Sequence, residues 1–174
     1  MRSVLIALAL FASTAAGQDA CLKEVFNRYC LGGPIAAVTE KHQPRHTFNH
    51  RGSDVFVFTD DGEDTMVATN QGLIETVSRT YKPGTMLTFT RIKGQLVELY
   101  GQPKRDVTLP SYARDASSIE TAIAVGRGRV RDSWQQDGWS IVLGWYTDKH
   151  ISLIYYHDAL RKQRRAADPN PSGF

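Results

Sequence analysis

His42, His46 and His50 recur every four residues. On a helix that spacing stacks three imidazoles along one face, a donor set that zinc or copper accepts. Pro44 sits inside the run and would break such a helix. A solvated loop carrying histidines is therefore expected, with a metal-carrying protein through His42/His46/His50 as an alternative. Asp60, Asp61, Glu63 and Asp64 surround Gly62 in a five-residue cluster between two strand-like runs. A calcium loop of the EF-hand type needs oxygens spread over about twelve residues and a closing glutamate, so a solvated hairpin tip is expected instead. The stretch Gly126-Arg127-Gly128-Arg129-Val130-Arg131 could offer guanidinium forks and backbone amides to an anion. It lacks the Lys-Ser/Thr of a phosphate-binding loop. Nucleophilic catalysis needs a Ser or Cys beside a base and an orienting group. The chain has no Gly-x-Ser-x-Gly elbow, and nothing points to a set built from a distant Ser with His157 and Asp158. The expectation is no catalytic residue, no cofactor and no metal, with an envelope hydrolase of dispersed residues as the rival.

Trp134, Trp139, Trp145, Tyr146, Tyr155 and Tyr156 fall within 23 residues. Alternation along two strands, Trp139 to Tyr146 and Ile151 to His157, puts Ile141, Leu143, Trp145, Leu153 and Tyr155 on one face. That face suits a covering helix. The opposite face still carries Val142, Tyr146, Ile154 and Tyr156, a second apolar set that an open sheet with a wet outer face does not need. Either this set packs on the sheet of the first half, or it is an aromatic binding face, since Tyr and Trp are favoured at interfaces. These four residues, with Arg127 and Arg129, are the candidate binding residues.

Residues 1–17 read as a secretory signal peptide. Arg2 precedes the apolar run Val4 to Ala12, and small residues Ser13 to Gly17 follow. The run is about half of the roughly 20 apolar residues that a membrane span needs. Gln18-Asp19-Ala20 before Cys21 lacks the aliphatic residue a lipidation site requires. Removing residues 1–17 takes away one cation and lowers the formal charge from +3 to +2, too near neutral for a nucleic-acid binder. Cys21 and Cys30 are the chain's two cysteines, which in an oxidising compartment read as a disulfide. An unbroken helix would hold them ~13.5 Å apart, beyond the ~7 Å limit for a bridge.

Leu22, Val25, Phe26 and Tyr29 lie at helical spacing before the stop Gly32-Gly33-Pro34. A polar connection over 35–53 leads to three strands, 54–59, 65–69 and 73–81, joined by turns. Leu87 to Tyr100 reads as an amphipathic helix ended by Gly101-Gln102-Pro103, and 104–133 as a long polar connection with a short helix or strand over Ser117 to Val125. The expected architecture is a single α+β domain over 18–165, an antiparallel sheet packed against helices. Residues 166–174 are expected to be a disordered tail. Halves 21–81 and 84–160 share an order that fits two tandem helix-plus-meander pseudo-repeats.

The segment Leu96-x-x-Leu99-Tyr100-Gly101-x-Pro103, followed by antiparallel strands, resembles the helix-to-sheet junction of small bacterial envelope modules of the SmpA/OmlA type. In architecture it resembles the beta-lactamase inhibitory protein-like tandem arrangement. The resemblance implies binding or scaffolding rather than catalysis. The function expected is a non-catalytic periplasmic or secreted protein that binds another envelope or secreted protein in an inhibitor, immunity or assembly role, with no nucleic acid and no transmembrane span.

Overall fold

The structure, a computed structural model, describes residues 21–167. The signal-peptide expectation for 1–17 therefore lies outside the described residues. The chain opens with a hairpin, β1 (Lys23–Val25) and β2 (Tyr29–Leu31), where a helix is expected from the spacing of Leu22, Val25, Phe26 and Tyr29. Phe26 and Asn27 both take positive φ, turning the chain back on itself. That reversal brings Cys21 and Cys30 to a Cα separation of 5.4 Å, and they form a disulfide. Val25, Tyr29 and Leu31 are buried, so the apolar residues that mimic a helical stripe serve a small two-stranded sheet instead.

A four-residue helix α1 (Ala36–Thr39) leads to β3 (His46–His50), β4 (Ser53–Asp60), β5 (Glu63–Asn70) and β6 (Leu73–Tyr81). Their turns at Arg51-Gly52, Asp61-Gly62 and Gln71-Gly72 place both central residues at positive φ, the geometry that matches strand twist in tight hairpins. Helix α2 (Met86–Tyr100) follows, capped by Thr85, whose Oγ1 accepts from the Thr88 amide. Within the stretch expected as a polar connection, the short element is the helix α3 (Ala116–Ala124), and two strands not expected there flank it, β7 (Lys104–Thr108) and β8 (Arg129–Gln135). The chain then runs through β9 (Trp139–Trp145), β10 (Ile151–His157) and α4 (Asp158–Ala167). Helix α4 thus enters the expected tail at Ala166 and Ala167, and the rest of that tail lies outside the described residues.

The fold is α+β. Eight strands form one antiparallel sheet in the order β3-β4-β5-β6-β10-β9-β8-β7, each half of the chain giving four consecutive strands and β6 pairing with β10. The first-half strands lie in the same sheet, so among the described residues Val142, Tyr146, Ile154 and Tyr156 do not pack on a first-half sheet, which corrects that expectation. The two halves differ in what precedes their strands: a hairpin and a short helix in the first, the long α2 in the second.

Directly opposed residues share a face. The row Phe56, Val67, Val77, Tyr155, Ile141, Trp134 crosses six strands toward the core. Phe89, Ile92 and Leu96 of α2 and Ile123 of α3 cover it, with Phe89 stacked at 5.8 Å on Trp145. Tyr29 sits against Phe58 and donates to Asp60 Oδ2 at 2.5 Å. Asp60 is 5% exposed and also pairs with Arg28 and Arg79. The expectation that it belongs to a solvated tip fails because the core-facing alternation of β4 carries it inward.

Burial pushes the phenols of Tyr29 and Tyr155 well above the usual tyrosine range, and the Asp60 carboxylate adds to the effect at Tyr29. Both groups stay un-ionised in the fold while the unfolded chain releases their protons above the ordinary value of 10.0. The folded state then binds more protons, so stability falls as pH rises. Urea unfolding at pH 8 and pH 11 should show a loss of about 1.4 kcal/mol per pH unit per tyrosine above pH ~10.

Candidate functional site

The row on the other side of the sheet reads His46, Val57, Met66, Ser78, Ile154, Val142, Ser133, Lys104 across all eight strands. None of these residues joins the core cluster. At the second-half end of this open face, Asp106, Arg129, Arg131, Val142, Tyr146, Ile154, Tyr156, Arg161 and Arg165 line a concavity of about 540 Å³. Val142 and Ile154, opposed across β9 and β10, lie within its apolar part.

Arg129 and Arg131 lie two apart on β8, so the strand period sends both to this face. Arg161 and Arg165 lie four apart on α4, one helical turn, so they share a side. Arg161 stacks its guanidinium 3.8 Å from the centre of the Tyr156 ring. Burial, with repulsion from Arg165 and Arg131, lowers the pKa of Arg161 below the ordinary arginine value. Tyr146 follows β9 and lays its ring over Gly144, where an added Cβ would fall 2.8 Å from Tyr146 Cζ and Oη. Only glycine leaves room for the ring there. Tyr146 remains 46% exposed, and partial burial raises its phenol pKa.

Helix α4 is fastened independently of the groove. Arg164 Nε donates to both carboxylate oxygens of Glu75, at 3.0 and 2.9 Å, and Glu75 is 1% exposed. Asn70 Nδ2 donates to the Leu160 carbonyl at 3.2 Å, and Asp158 accepts from Gln135 and Ser140 at 2.6 and 2.8 Å. Among the described residues, none of the four groove arginines has a carboxylate within ion-pair distance, whereas Arg28, Arg79 and Arg164 do. Arg129 donates to Thr108 Oγ1 at 3.2 Å. Asp106 stands opposite Arg131 in the strand register without pairing. The arrangement presents fixed positive charge over an aromatic and aliphatic floor, suited to carboxylate or phosphate oxygens joined to apolar groups.

The other candidates separate. Arg127 lies outside the groove: its amide donates to the Ala122 carbonyl at 2.8 Å and that of Gly126 to Ile123 at 3.0 Å. The Gly126 and Arg127 amides are thereby used by the α3 terminus and are not open to an anion. His42 precedes β3, while His46 and His50 sit at its two ends, all exposed, so the helical stacking that would gather them is absent. Among the described residues no group of three or more His, Cys, Asp or Glu is placed to hold a metal. Ser140 donates directly to Asp158, and His157 Nδ1 accepts from the Leu160 amide at 3.4 Å. No described hydrogen bond joins His157 to either, so a Ser-His-Asp relay is not assembled.

Arg161, Arg165, Asp106 and Gly144 are not among the sequence candidates, and Arg131 enters them only as the end of the Gly126–Arg131 stretch. The period-2 relation of Arg131 to Arg129 and the i, i+4 spacing of Arg161 and Arg165 were the available signals. The R164A variant should lose about 3 kcal/mol by leaving Glu75 buried and unpaired, and E75Q/R164A should recover part of it. Urea unfolding of wild type and both variants checks this.

Among the described residues no helix is long and apolar enough to cross a membrane. No protein-family model matches the chain, and no curated protein matches it in sequence. Among solved structures it is similar to an extracellular protein containing an SCP domain from Bacillus anthracis, at 11% identity and a TM-score of 0.45. The similarity covers 88% of this chain and 51% of that one, so the chain spans about half the length of that protein.

Proposed function

We propose that the protein is an exported, non-catalytic binding protein that docks on another envelope or secreted protein, in an inhibitor, immunity or assembly role. An acidic segment of that partner occupies the arginine-lined groove. The observation that carries the reading is the group of four guanidiniums, without carboxylate partners among the described residues, around Val142, Ile154, Tyr146 and Tyr156. Folded proteins usually neutralise clustered charge internally, as this one does at Asp60 and Glu75. A cluster left without partners on an exposed face is available to an outside anion, and electrostatic complementarity then steers and orients the encounter.

Export is supported by the short apolar N-terminal run and by the disulfide, which persists in oxidising compartments. The groove lining supplies one carboxylate and no His, Cys or Ser, a poor outfit for the hydrolase alternative. The resemblance to SmpA/OmlA-type modules points the same way, toward binding.

Fluorescence titration with a ten-residue peptide of alternating Glu and Leu tests this. The peptide should bind, R131A and R161A should each weaken it about tenfold (about 1.4 kcal/mol), and raising NaCl from about 50 to 500 mM should weaken it further. Binding no tighter than that of the matching Lys/Leu peptide, or indifference to both substitutions, would refute the groove as the docking site.

A further inference from the structure

The groove occupies one end of a longer sheet face, which α4 covers at the ends of β6, β9 and β10 and which is open toward Phe48 and Met66. On the first-half strands the central outward residues are His46, Phe48, Val55, Val57, Met66, Ala68, Thr76 and Ser78, all uncharged apart from the imidazole, while Asp64 on the same side at the start of β5 is paired with Arg45 and Lys82. Phe48 and Met66 are 39% and 38% exposed. Between this apolar lobe and the groove runs a strip of short hydroxyl side chains, Thr76 and Ser78 on β6 with Ser152 on β10. We infer that the partner is a folded protein that covers the whole open face, with its acidic segment in the groove and an apolar patch against Phe48 and Met66. This rests on the docking reading above.

Dimensions and chemistry support that occupant. Seven strand spacings of ~4.8 Å give a span of about 34 Å, and three side-chain rows give a width of roughly 20 Å. The face spans roughly 700 Å², of the order of the ~800 Å² that each side of a stable protein complex buries, with Val55 and Val142 already buried within it and α4 forming one wall. A free anion or short acidic peptide would fill the concavity of about 540 Å³ and leave Phe48 and Met66 in water. Phe, Tyr and Met are enriched at protein interfaces, and Arg and Tyr among their energetic centres. The partner should therefore place an acidic cluster about 20 Å from an apolar patch, the distance of four strand spacings from β5 to β8.

A photo-crosslinking phenylalanine analogue placed singly at positions 48, 66 and 146, in the cell that exports the protein, provides the test. Leu87 and Leu99, exposed on α2, serve as control positions away from the face. All three face positions should yield one product containing the same single partner, identified by mass spectrometry. The product should vanish in R131E/R161E, and the α2 positions should not form it. F48D/M66D should also abolish it while leaving the Glu/Leu peptide titration unchanged. A product from position 146 alone would overturn the whole-face footprint and leave the groove reading intact. A product of twice the chain's mass would replace the partner with a second copy and overturn the inference. No product from any of the three would refute both readings.

Discussion

The antiparallel pairing of β6 with β10 is the constraint on which the rest depends. It joins two four-stranded meanders, which would otherwise present two separate edges, into one continuous sheet. Its register sets Val77 against Tyr155 and Ser78 against Ile154. Because side chains alternate with a period of two, a one-residue slip at this seam would send Tyr155 to solvent and Ile154 to the core. With the register fixed, Val67, Val77, Tyr155 and Ile141 fall on the side where α2, α3 and the first hairpin close the core. The opposite side is left as a single face across eight strands, with α4 laid against one end of it.

Charge follows the same division. Asp60, Glu75 and Asp132 are all buried, and each is met by a base from a different element: Arg28 and Arg79, Arg164, and Lys93 at 2.9 Å. An unpaired buried carboxylate would cost several kcal/mol, so these contacts fix where the hairpin, α4 and α2 sit against the sheet. The bases on the open face have no such duty. Arg129, Arg131, Arg161 and Arg165 lack acidic partners among the described residues although the whole chain is only +3. A near-neutral composition excludes a general polyanion binder, yet it is compatible with a local positive field, since sequence charge says nothing about which residues the fold collects.

Much of this was legible where a single physical signal dominated. The Leu87–Tyr100 periodicity is long enough to specify a helix, and turn residues marked β4 to β6, β9 and β10. The outward placement of Val142, Tyr146, Ile154 and Tyr156 followed from alternation alone. The first hairpin was not legible: eight residues with apolar positions at 22, 25, 26 and 29 suit a helical stripe, and only the positive φ of Phe26 and Asn27 decides otherwise. Strand β7 was missed because all five of its residues are exposed, so its hydrophobic pattern is nearly blank. Asp60 was misplaced because its neighbours Asp61 and Glu63 belong to a tip, whereas its own β4 parity points inward. In each case tertiary contact, not local propensity, made the choice.

The groove could not be read from sequence because its arginines come from β8 and α4, about thirty positions apart. What unites them is the return of α4 beside the ends of β9 and β10, enforced by the Arg164–Glu75 pair and the Asp158 contacts. That anchoring has an energetic consequence for binding. A flexible basic tail would have to lose conformational freedom when an anion arrives, whereas Arg161 is already held on the Tyr156 ring and its helix already docked. The same logic applies to Tyr146, whose ring is seated over Gly144 before any ligand enters. A preorganised cationic end beside a neutral apolar one makes the face asymmetric, so charge can orient a partner while apolar contact at Phe48 and Met66 slows its departure.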